Sequence, residues 1–271
     1  MIIDFHIHIG KKEHWHPWVN EHFKSTNPEL YDNFDEIMNP KGFEAYLKKQ
    51  GVDYAVILAE NSPITTGVVT NEFVHEFCKG KEIFIPFASI DPKTKKEGPE
   101  ELRKLVKEGF KGLKLYPTYQ QYHPNDEIVY PLYEEAQNLG IPVMIHTGSS
   151  IFKGSRLKYG NPLQLDDVAV DFPDLKIVMA HSGRGLWYKE AFFLARLHKN
   201  IYMEISGLPP KNLLRYFPDL EENADKVIFG SDWPGVKSIE NNIKEVKALP
   251  LKKSTIEKIL GLNAMDLLKM R

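Results

Sequence analysis

The chain begins with MIIDFHIHIG, residues 1–10, where an aspartate and two histidines occupy every second position. The stretch has no turn residue before Gly10, and its isoleucines and phenylalanine favour a β-strand. Side chains alternate across a strand, so the apolar and polar residues are expected on opposite faces. The apolar set is Ile3, Phe5 and Ile7, and the polar set is Asp4, His6 and His8. Two imidazoles two residues apart on one face indicate a metal site.

Seven further short apolar runs follow at intervals of roughly 25 to 35 residues after the second, the length of one βα unit. The eight runs are IIDFHIH (2–8), DYAVILA (53–59), IFIPFASI (83–90), KGLKLY (111–116), PVMIHT (142–147), KIVMAHS (176–182), IYMEIS (201–206) and KVIFGSD (226–232). Eight such units predict an α/β chain folded as one (β/α)8 barrel domain over residues 1–271. An open doubly wound sheet is the alternative, which the absence of a glycine-rich phosphate loop after the first run disfavours.

Helix signals lie between these runs. EGPEELRKLVKEGF (97–110) has an acidic start and ends near Gly109, and DEIVYPLYEEAQNLG (126–140) offers Asp126 as an N-cap and Gly140 as a stop. The tail TIEKILGLNAMDLLKM (255–270) predicts extra C-terminal helices packed across the barrel. The long connection over residues 10–40, rich in His and Trp, predicts a lid over the site.

Composition excludes several classes of partner. The chain has 35 basic and 37 acidic residues, a formal charge of −2, so neither nucleic acid nor a membrane surface is an expected partner. Cys78 is the single cysteine, which rules out an intramolecular disulfide and fits a reducing cytoplasm. The apolar runs are too short to span a membrane. We therefore expect a cytoplasmic enzyme with a small-molecule substrate, and the sequence leaves a homodimer open.

The residues that end these runs carry the chemistry, because catalytic groups of such barrels lie at the C-terminal ends of the strands. They are His6 and His8 in the first run, His146 in the fifth, His181 in the sixth and Asp232 in the eighth. The remaining histidines are predicted to be solvated or capping residues. They are His14, His16, His22, His75, His123 and His198.

Five motifs in this order resemble the metal-dependent amidohydrolase superfamily. They are DFHIHIG (4–10), GLKLYP (112–117), PVMIHTG (142–148), IVMAHSG (177–183) and FGSDWP (229–234). The closest resemblance is to the branch of predicted metal hydrolases related to aminocarboxymuconate-semialdehyde decarboxylase, and GLNAMDLL (261–268) looks like its closing segment. The resemblance implies one divalent metal and a residue beside its bound water, His181. The ligands that it implies are His6, His8, His146 and Asp232.

The donor chemistry leads to the same kind of site. Three imidazoles, a carboxylate and an open position suit Zn²⁺, with Mn²⁺, Fe²⁺ or Co²⁺ as alternatives, whereas Mg²⁺ and Ca²⁺ prefer oxygen ligands. Such an ion activates water, Asp232 can accept a proton, and His181 can orient the water or stabilise an oxyanion.

Lys114 is turned inward by the same alternation, between outward-facing Leu113 and Leu115. Three interpretations remain open: a carboxylated bridge to a second metal, a cation that binds a substrate carboxylate, or a lysine on the rim. Glu204 has the same parity on the seventh run and could hold a histidine tautomer or pair with Lys114, and Asp4 could also support a histidine.

Two arginines follow strand ends in loops, Arg156 in SIFKGSRLKYG and Arg184 in SGRG. Either could bind a substrate carboxylate, and either could be an ordinary surface charge. Trp15, Trp18 and Trp233 could wall the pocket or serve only packing.

Three functions fit these residues. The leading hypothesis is hydrolysis of an amide, lactone or ester of a small carboxylated substrate by a metal-activated water. The alternative is a metal-dependent decarboxylase or lyase that acts on an aromatic or enoic acid. A catalytically silent metal-binding barrel is the third, which the full set of strand-end residues disfavours.

Overall fold

The chain forms a parallel barrel with a small hairpin beside it. The computed structural model describes residues 1–94 and 96–270. Eight parallel strands are ordered β1-β2-β5-β6-β7-β8-β9-β10, and β3 pairs with β4 in an antiparallel hairpin. The strands are β1 Ile3–His8, β2 Tyr54–Leu58, β3 Glu60–Ser62, β4 Gly67–Val69, β5 Phe84–Ser89, β6 Gly112–Leu115, β7 Val143–Gly148, β8 Ile177–Arg184, β9 Ile201–Glu204 and β10 Val227–Ile228.

Hydrogen bonds join the two ends of the parallel sheet. Phe5 N donates to Phe229 O at 3.0 Å, and His8 N donates to Trp233 O at 2.8 Å. The eight strands are the eight predicted runs, and they curl into a nearly closed barrel. The (β/α)8 prediction is confirmed, and the open sheet is rejected.

Helices fill the connections. The α-helices are α1 Pro17–Thr26, α2 Pro28–Asp32, α3 Phe34–Ile37, α4 Pro40–Lys49, α5 Asn71–Cys78, α6 Gly98–Lys107, α7 Pro117–Gln120, α8 Tyr130–Leu139, α9 Leu165–Asp171, α10 Tyr188–Leu197, α11 Leu213–Tyr216, α12 Ile239–Lys247, α13 Lys253–Glu257 and α14 Asn263–Leu268. The 3-10 segments are Lys12–His14, Leu157–Gly160, Pro162–Gln164, Pro210–Asn212 and Leu220–Lys226, and a π-helical turn spans Lys258–Leu262. In the described part of the chain, none of these helices is long and apolar enough to cross a membrane.

The two helices with clear end signals form where predicted, with one correction. Helix α6 buries Leu102 and Leu105, and α8 ends at Gly140, which has a left-handed φ of 64°. Asp126 is not the N-cap of α8, because the helix begins at Tyr130. Asp126 instead accepts the His123 amide at 2.7 Å, so it stabilises the turn before the helix.

One face of the strands forms the barrel interior. Alternate residues of six strands pack there with Ala264 and Leu267, so α14 closes the N-terminal end of the barrel as predicted. The strand residues are Ile3, Phe5, Val56, Leu58, Ile85, Phe87, Met144, Val178, Ala180 and Ile228.

The predicted alternation of β1 is wrong at its start. The pairing of β1 with β2 shifts register between Asp4 and Ile7, which inserts one extra residue into β1. Ile3 and Phe5 consequently pack inside the barrel, whereas Ile7 packs outside it. A bulge reverses the parity of a strand, so His6 faces the interior above Phe5 rather than opposite to it.

The connection after β1 covers the hairpin. His16 Nε2 donates to Pro63 O and Trp18 Nε1 donates to Thr65 O, each at 2.8 Å. Gly67 (φ 132°) allows this close approach, since a Cβ atom there would collide with His14 O. The connection and the hairpin therefore form one docked layer.

Candidate metal centre

The predicted strand-end residues surround one cavity of about 730 Å³ at the C-terminal ends of the strands. All five line it, namely His6, His8, His146, His181 and Asp232, and Lys114 of β6 lines it with them. Each comes from a different strand end except the two β1 histidines. The barrel thus brings together residues that are separated by more than 200 positions in sequence.

The two β1 histidines and Asp232 form the closest group. His6 Nε2 and His8 Nε2 lie 3.2 Å apart, and each lies 3.5 Å from Asp232 Oδ1. His181 joins them, because one ligand atom from each of His6, His181 and Asp232 lies within 4.8 Å of the others. The arrangement presents nitrogen and oxygen lone pairs to a common space.

His181 and Asp232 have unusual backbone conformations. Their φ angles are 63° and 67°, in the left-handed region that non-glycine residues rarely adopt. His181 Nδ1 lies 3.0 Å from Ser206 O and 3.9 Å from Asp232 Oδ2. Such strain persists where the surrounding structure enforces it and is typical of functional sites.

His146 provides a nitrogen without a partner. Its ring centroid lies 4.7 Å from that of His181 and 4.9 Å from that of Tyr119. His146 Nε2 is buried and has no hydrogen-bond partner within residues 1–94 and 96–270. A buried lone pair left unpaired is costly unless another atom occupies the site, such as a metal ion.

The ionisation states suit metal binding. Burial lowers the pKa of His6, His146 and His181 well below the ordinary value, so their imidazoles are neutral at pH 7. Burial opposes ionisation of Asp232, but the imidazoles of His181, His6 and His8 and the Arg184 cation stabilise its carboxylate, so its pKa lies well below the ordinary value. Neutral imidazoles with a carboxylate are the donor set of a borderline divalent metal, so the residues fit such an ion.

Glu204 supports two of the histidines. Its side chain is fully buried, Oε2 lies 3.1 Å from His6 Nδ1, and it accepts the His181 amide at 3.2 Å. Burial raises the pKa of Glu204, and the hydroxyl of Ser206, followed by the Lys114 cation, opposes that shift. Its predicted position on the inward face of β9 is thus confirmed, and no hydrogen bond to Lys114 is formed.

Asp4 supports the backbone rather than a histidine ring. Its Oδ1 accepts the amides of His6 at 3.2 Å and Ser231 at 2.9 Å. Burial raises its pKa to about 7. The carboxylate therefore accepts a backbone hydrogen bond at the β1 bulge and another from the segment that carries Asp232, and so it links the two.

Glu60 is a site residue that the sequence did not reveal. It is the first residue of β3 and is buried. Its Oε1 accepts the Thr66 hydroxyl, and its Oε2 lies 3.5 Å from His8 Nδ1. Burial raises its pKa. The available signal was its place immediately after DYAVILA, at a strand end like those of the other site residues.

Lys114 is a buried cation, so its interpretation as a rim lysine is wrong. Its side chain is fully buried, and Nζ has no hydrogen-bond partner in the described part of the chain. Nζ lies 5.0 Å from the ring centroid of Tyr116. Burial lowers the pKa of Lys114 to about 8, although Glu204, Asp232 and Glu60 favour its charged form.

Of the two loop arginines, the structure brings only Arg184 to the cavity. Arg184 Nη1 lies 3.5 Å from Asp232 Oδ2, and Nη2 donates to Ser149 O at 3.1 Å. Arg156 is exposed and lies outside the cavity lining. We therefore do not retain Arg156 as a substrate contact.

Aromatic side chains wall the cavity. Of the three predicted tryptophans only Trp15 lines it, while Trp18 docks α1 and Trp233 is fully buried in the core. His22 of α1 also lines the cavity, a position that the sequence did not single out. The other aromatic residues of the lining are Phe23, Tyr116, Tyr119 and Phe152.

Comparisons with known proteins identify relatives of the whole barrel. A family model described as amidohydrolase matches residues 3–270. An uncharacterized TIM-barrel protein from Bordetella bronchiseptica is 25% identical, with a TM-score of 0.83 over 99% of this chain and 98% of its own. No curated protein sequence matches the chain.

Two more distant structures share the fold. A dihydroxybenzoic acid decarboxylase from a Polaromonas species, with bound manganese and 2-nitroresorcinol, is 18% identical with a TM-score of 0.73, over 99% of this chain and 97% of its own. A probable 2-pyrone-4,6-dicarboxylic acid hydrolase from Acinetobacter baumannii is 18% identical with a TM-score of 0.72, over 99% of both chains. Several further similar structures are aromatic acid decarboxylases.

Proposed function

Because the chain belongs to the amidohydrolase family, we propose that it is a metal-dependent decarboxylase that acts on a small aromatic or enoic carboxylic acid. The observation that carries this proposal is Lys114. A fully buried ammonium, without a hydrogen-bond partner among the described residues, faces the cavity beside the histidines and Asp232. Such a charge is costly to bury alone, and a substrate carboxylate would provide its partner.

The cavity walls support a flat substrate. Tyr116 and Tyr119 stack at a centroid distance of 5.8 Å, and Phe152 meets the Tyr119 ring edge at 6.3 Å. Aromatic walls around a few polar groups are typical of small-molecule sites. The decarboxylases among the similar structures act on acids of this kind, which supports decarboxylation over our leading sequence-based hypothesis of hydrolysis.

We propose that His6, His8, His146 and Asp232 hold one divalent ion. The donor set favours zinc, and the relative with bound manganese makes Mn²⁺ the alternative. When bound, the ion would act as a Lewis acid that fixes the substrate and withdraws electron density from it. Lys114 contributes as an unmodified cation in this proposal, so a second metal bridged by a carboxylated Lys114 is not required.

The protein side chains bind the substrate, orient Asp232 and transfer a proton. Lys114 binds the carboxylate, and Arg184 orients Asp232 from the side of the cavity. In decarboxylation the bond between the carboxylate and the carbon skeleton breaks, carbon dioxide leaves, and the skeleton takes up a proton in its place. Water supplies that proton, and Asp232 and His181, 3.9 Å apart, are placed to pass it from water to the skeleton.

Hydrolysis is the second candidate, favoured by ionised Asp232. A carboxylate that is ionised at neutral pH is free to accept a proton from water, as lactone, ester or amide hydrolysis requires. The resemblance to a probable 2-pyrone-4,6-dicarboxylic acid hydrolase supports the same reaction class.

Isotopes distinguish the two reactions. Metal-loaded protein is incubated with aromatic and enoic acids and, separately, with lactones, esters and amides of small acids. We expect carbon dioxide release, and in deuterium oxide one deuterium on the carbon that lost the carboxylate. Hydrolysis of a lactone, ester or amide that incorporates heavy oxygen from water, with no acid losing carbon dioxide, would replace the proposal by the second candidate.

A further inference from the structure

Each of the two β1 histidines has a buried glutamate beside its Nδ1 atom. Glu204 Oε2 lies 3.1 Å from His6 Nδ1, and Glu60 Oε2 lies 3.5 Å from His8 Nδ1. The two glutamates come from opposite directions, one from β9 and one from the β3–β4 hairpin. Each of the two histidines is therefore accompanied by a carboxylate that comes from outside β1.

Glu204 is held in place by its surroundings. Ser206 donates to it twice, from its amide to Oε1 at 2.7 Å and from its hydroxyl to Oε2 at 2.8 Å. Gly230 leaves the space that the carboxylate needs, since a Cβ atom there would collide with Glu204 Oε1. The carboxylate is thereby fixed toward His6.

Glu60 is fixed by the hairpin. The hydroxyl of Thr66 donates to Glu60 Oε1, and Thr66 O accepts the amide of His16 at 3.0 Å. The residue that holds Glu60 is thus itself held by the connection over the site. The docked hairpin and connection therefore help to hold Glu60 beside His8.

We infer that Glu60 and Glu204 are positioning residues that hold His8 and His6 with the proton on Nδ1, so that both Nε2 lone pairs face Asp232. A histidine that binds a metal through one ring nitrogen is commonly fixed by a hydrogen bond from the other. With both protons on Nδ1, the Nε2 atoms 3.2 Å apart have no hydrogen between them, and a cation becomes the natural partner for both. The inference rests on the proposed metal centre.

The test measures tautomers in the metal-free full-length protein by nitrogen NMR with labelled histidine. We expect the Nδ1–H form for His6 and His8 in the wild type. Glu60→Gln should shift His8 alone toward the Nε2–H form and weaken metal binding by about 10-fold or more. The matched control is Glu245→Gln, since Glu245 is another glutamate that lines the cavity. It should change neither the His8 tautomer nor the metal affinity.

A second variant, Thr66→Val, tests the same inference if Glu60→Gln does not fold. Thr66→Val keeps Glu60 but removes the hydroxyl that holds it, and it should shift His8 in the same direction by a smaller amount. An Nε2–H proton on His6 or His8 in the wild type would overturn the inference. So would a His8 tautomer unchanged by both Glu60→Gln and Thr66→Val.

These outcomes are separate from failure of the proposed function. The tautomers are measured without metal, so they report on Glu60 and Glu204 whatever reaction the protein catalyses. A wild-type protein with Nδ1–H histidines that binds no divalent ion would refute the metal centre while leaving the hydrogen-bond roles intact.

Discussion

His6 Nε2 and His8 Nε2 lie 3.2 Å apart, both 3.5 Å from Asp232 Oδ1. Three atoms with lone pairs at such distances repel one another, and a bound cation relieves that repulsion. We expect protein purified without chelator to contain about one divalent ion per chain and His6→Asn to lose most of it, as measured by elemental analysis. His198→Asn is the control, because His198 pairs with Asp166 away from the cavity, and full metal content in His6→Asn would remove His6 from the ligand set.

The roles of His146 and His181 can be separated by the same measurement. His146→Asn should lose the ion, because its buried Nε2 has no other partner in the described structure. His181→Asn should keep the ion and slow turnover by about 100-fold, because the proposed ligand set does not include His181, to which we assign proton transfer. Loss of metal in His181→Asn with full retention in His146→Asn would exchange the two assignments.

The barrel could be predicted because each strand is a short apolar run and the runs recur at the spacing of βα units. The bulge in β1 could not be predicted, since an alternating sequence looks the same with or without an inserted residue. The β3–β4 hairpin was also missed. Its strands have three residues each and enclose the turn residues of ENSPITTGVV, so no periodic pattern develops.

Site residues within the eight predicted runs could be predicted, whereas Glu60, which lies outside them, could not. The inward orientation of Lys114 and Glu204 follows from strand alternation, and the structure confirms it. Glu60 was missed because the second run was taken to end at Ala59, whereas the chain continues into the hairpin. Arg156 and Arg184 both follow a predicted run in sequence, but in the structure Arg184 is the last residue of β8, whereas Arg156 lies in an exposed loop.

Lys114 should contribute to substrate binding more than any lysine at the cavity mouth. Lys114→Met removes the buried charge with little change in volume, so we expect KM for the substrate acid to rise by about 10-fold or more. Lys211→Met is the matched control, since Lys211 lines the same cavity but is exposed. Steady-state kinetics measure both, and equal effects on KM would show that Lys114 does not bind the carboxylate.

Carboxylate binding should depend on pH through Lys114, whose pKa is lowered to about 8 by burial. Below that pH the ammonium is charged and binds the acid, and above it the amine is neutral. We expect the affinity of the metal-free protein for an aromatic acid such as 2,6-dihydroxybenzoate to fall by about tenfold per pH unit above about 8. In Lys114→Arg the affinity should stay constant over this range, because the guanidinium remains charged. Isothermal titration calorimetry measures this affinity, and a wild-type affinity that stays constant up to pH 10 would contradict the prediction.

The docked layer over the site should depend on Gly67. A Cβ atom at this position would collide with His14 O, so Gly67→Ala must push the connection after β1 away from the hairpin. Gly51→Ala is the matched control, because Gly51 also has a positive φ (79°) but has no atom within 4 Å of its added Cβ. We expect Gly67→Ala to lower the free energy of unfolding by about 1–3 kcal/mol more than Gly51→Ala, as measured by urea denaturation.

Because the same hairpin carries Glu60, Gly67→Ala should also weaken metal binding, whereas Gly51→Ala should not. Equal stability and equal metal affinity in the two variants would show that the contact between Gly67 and His14 does not hold the layer in place.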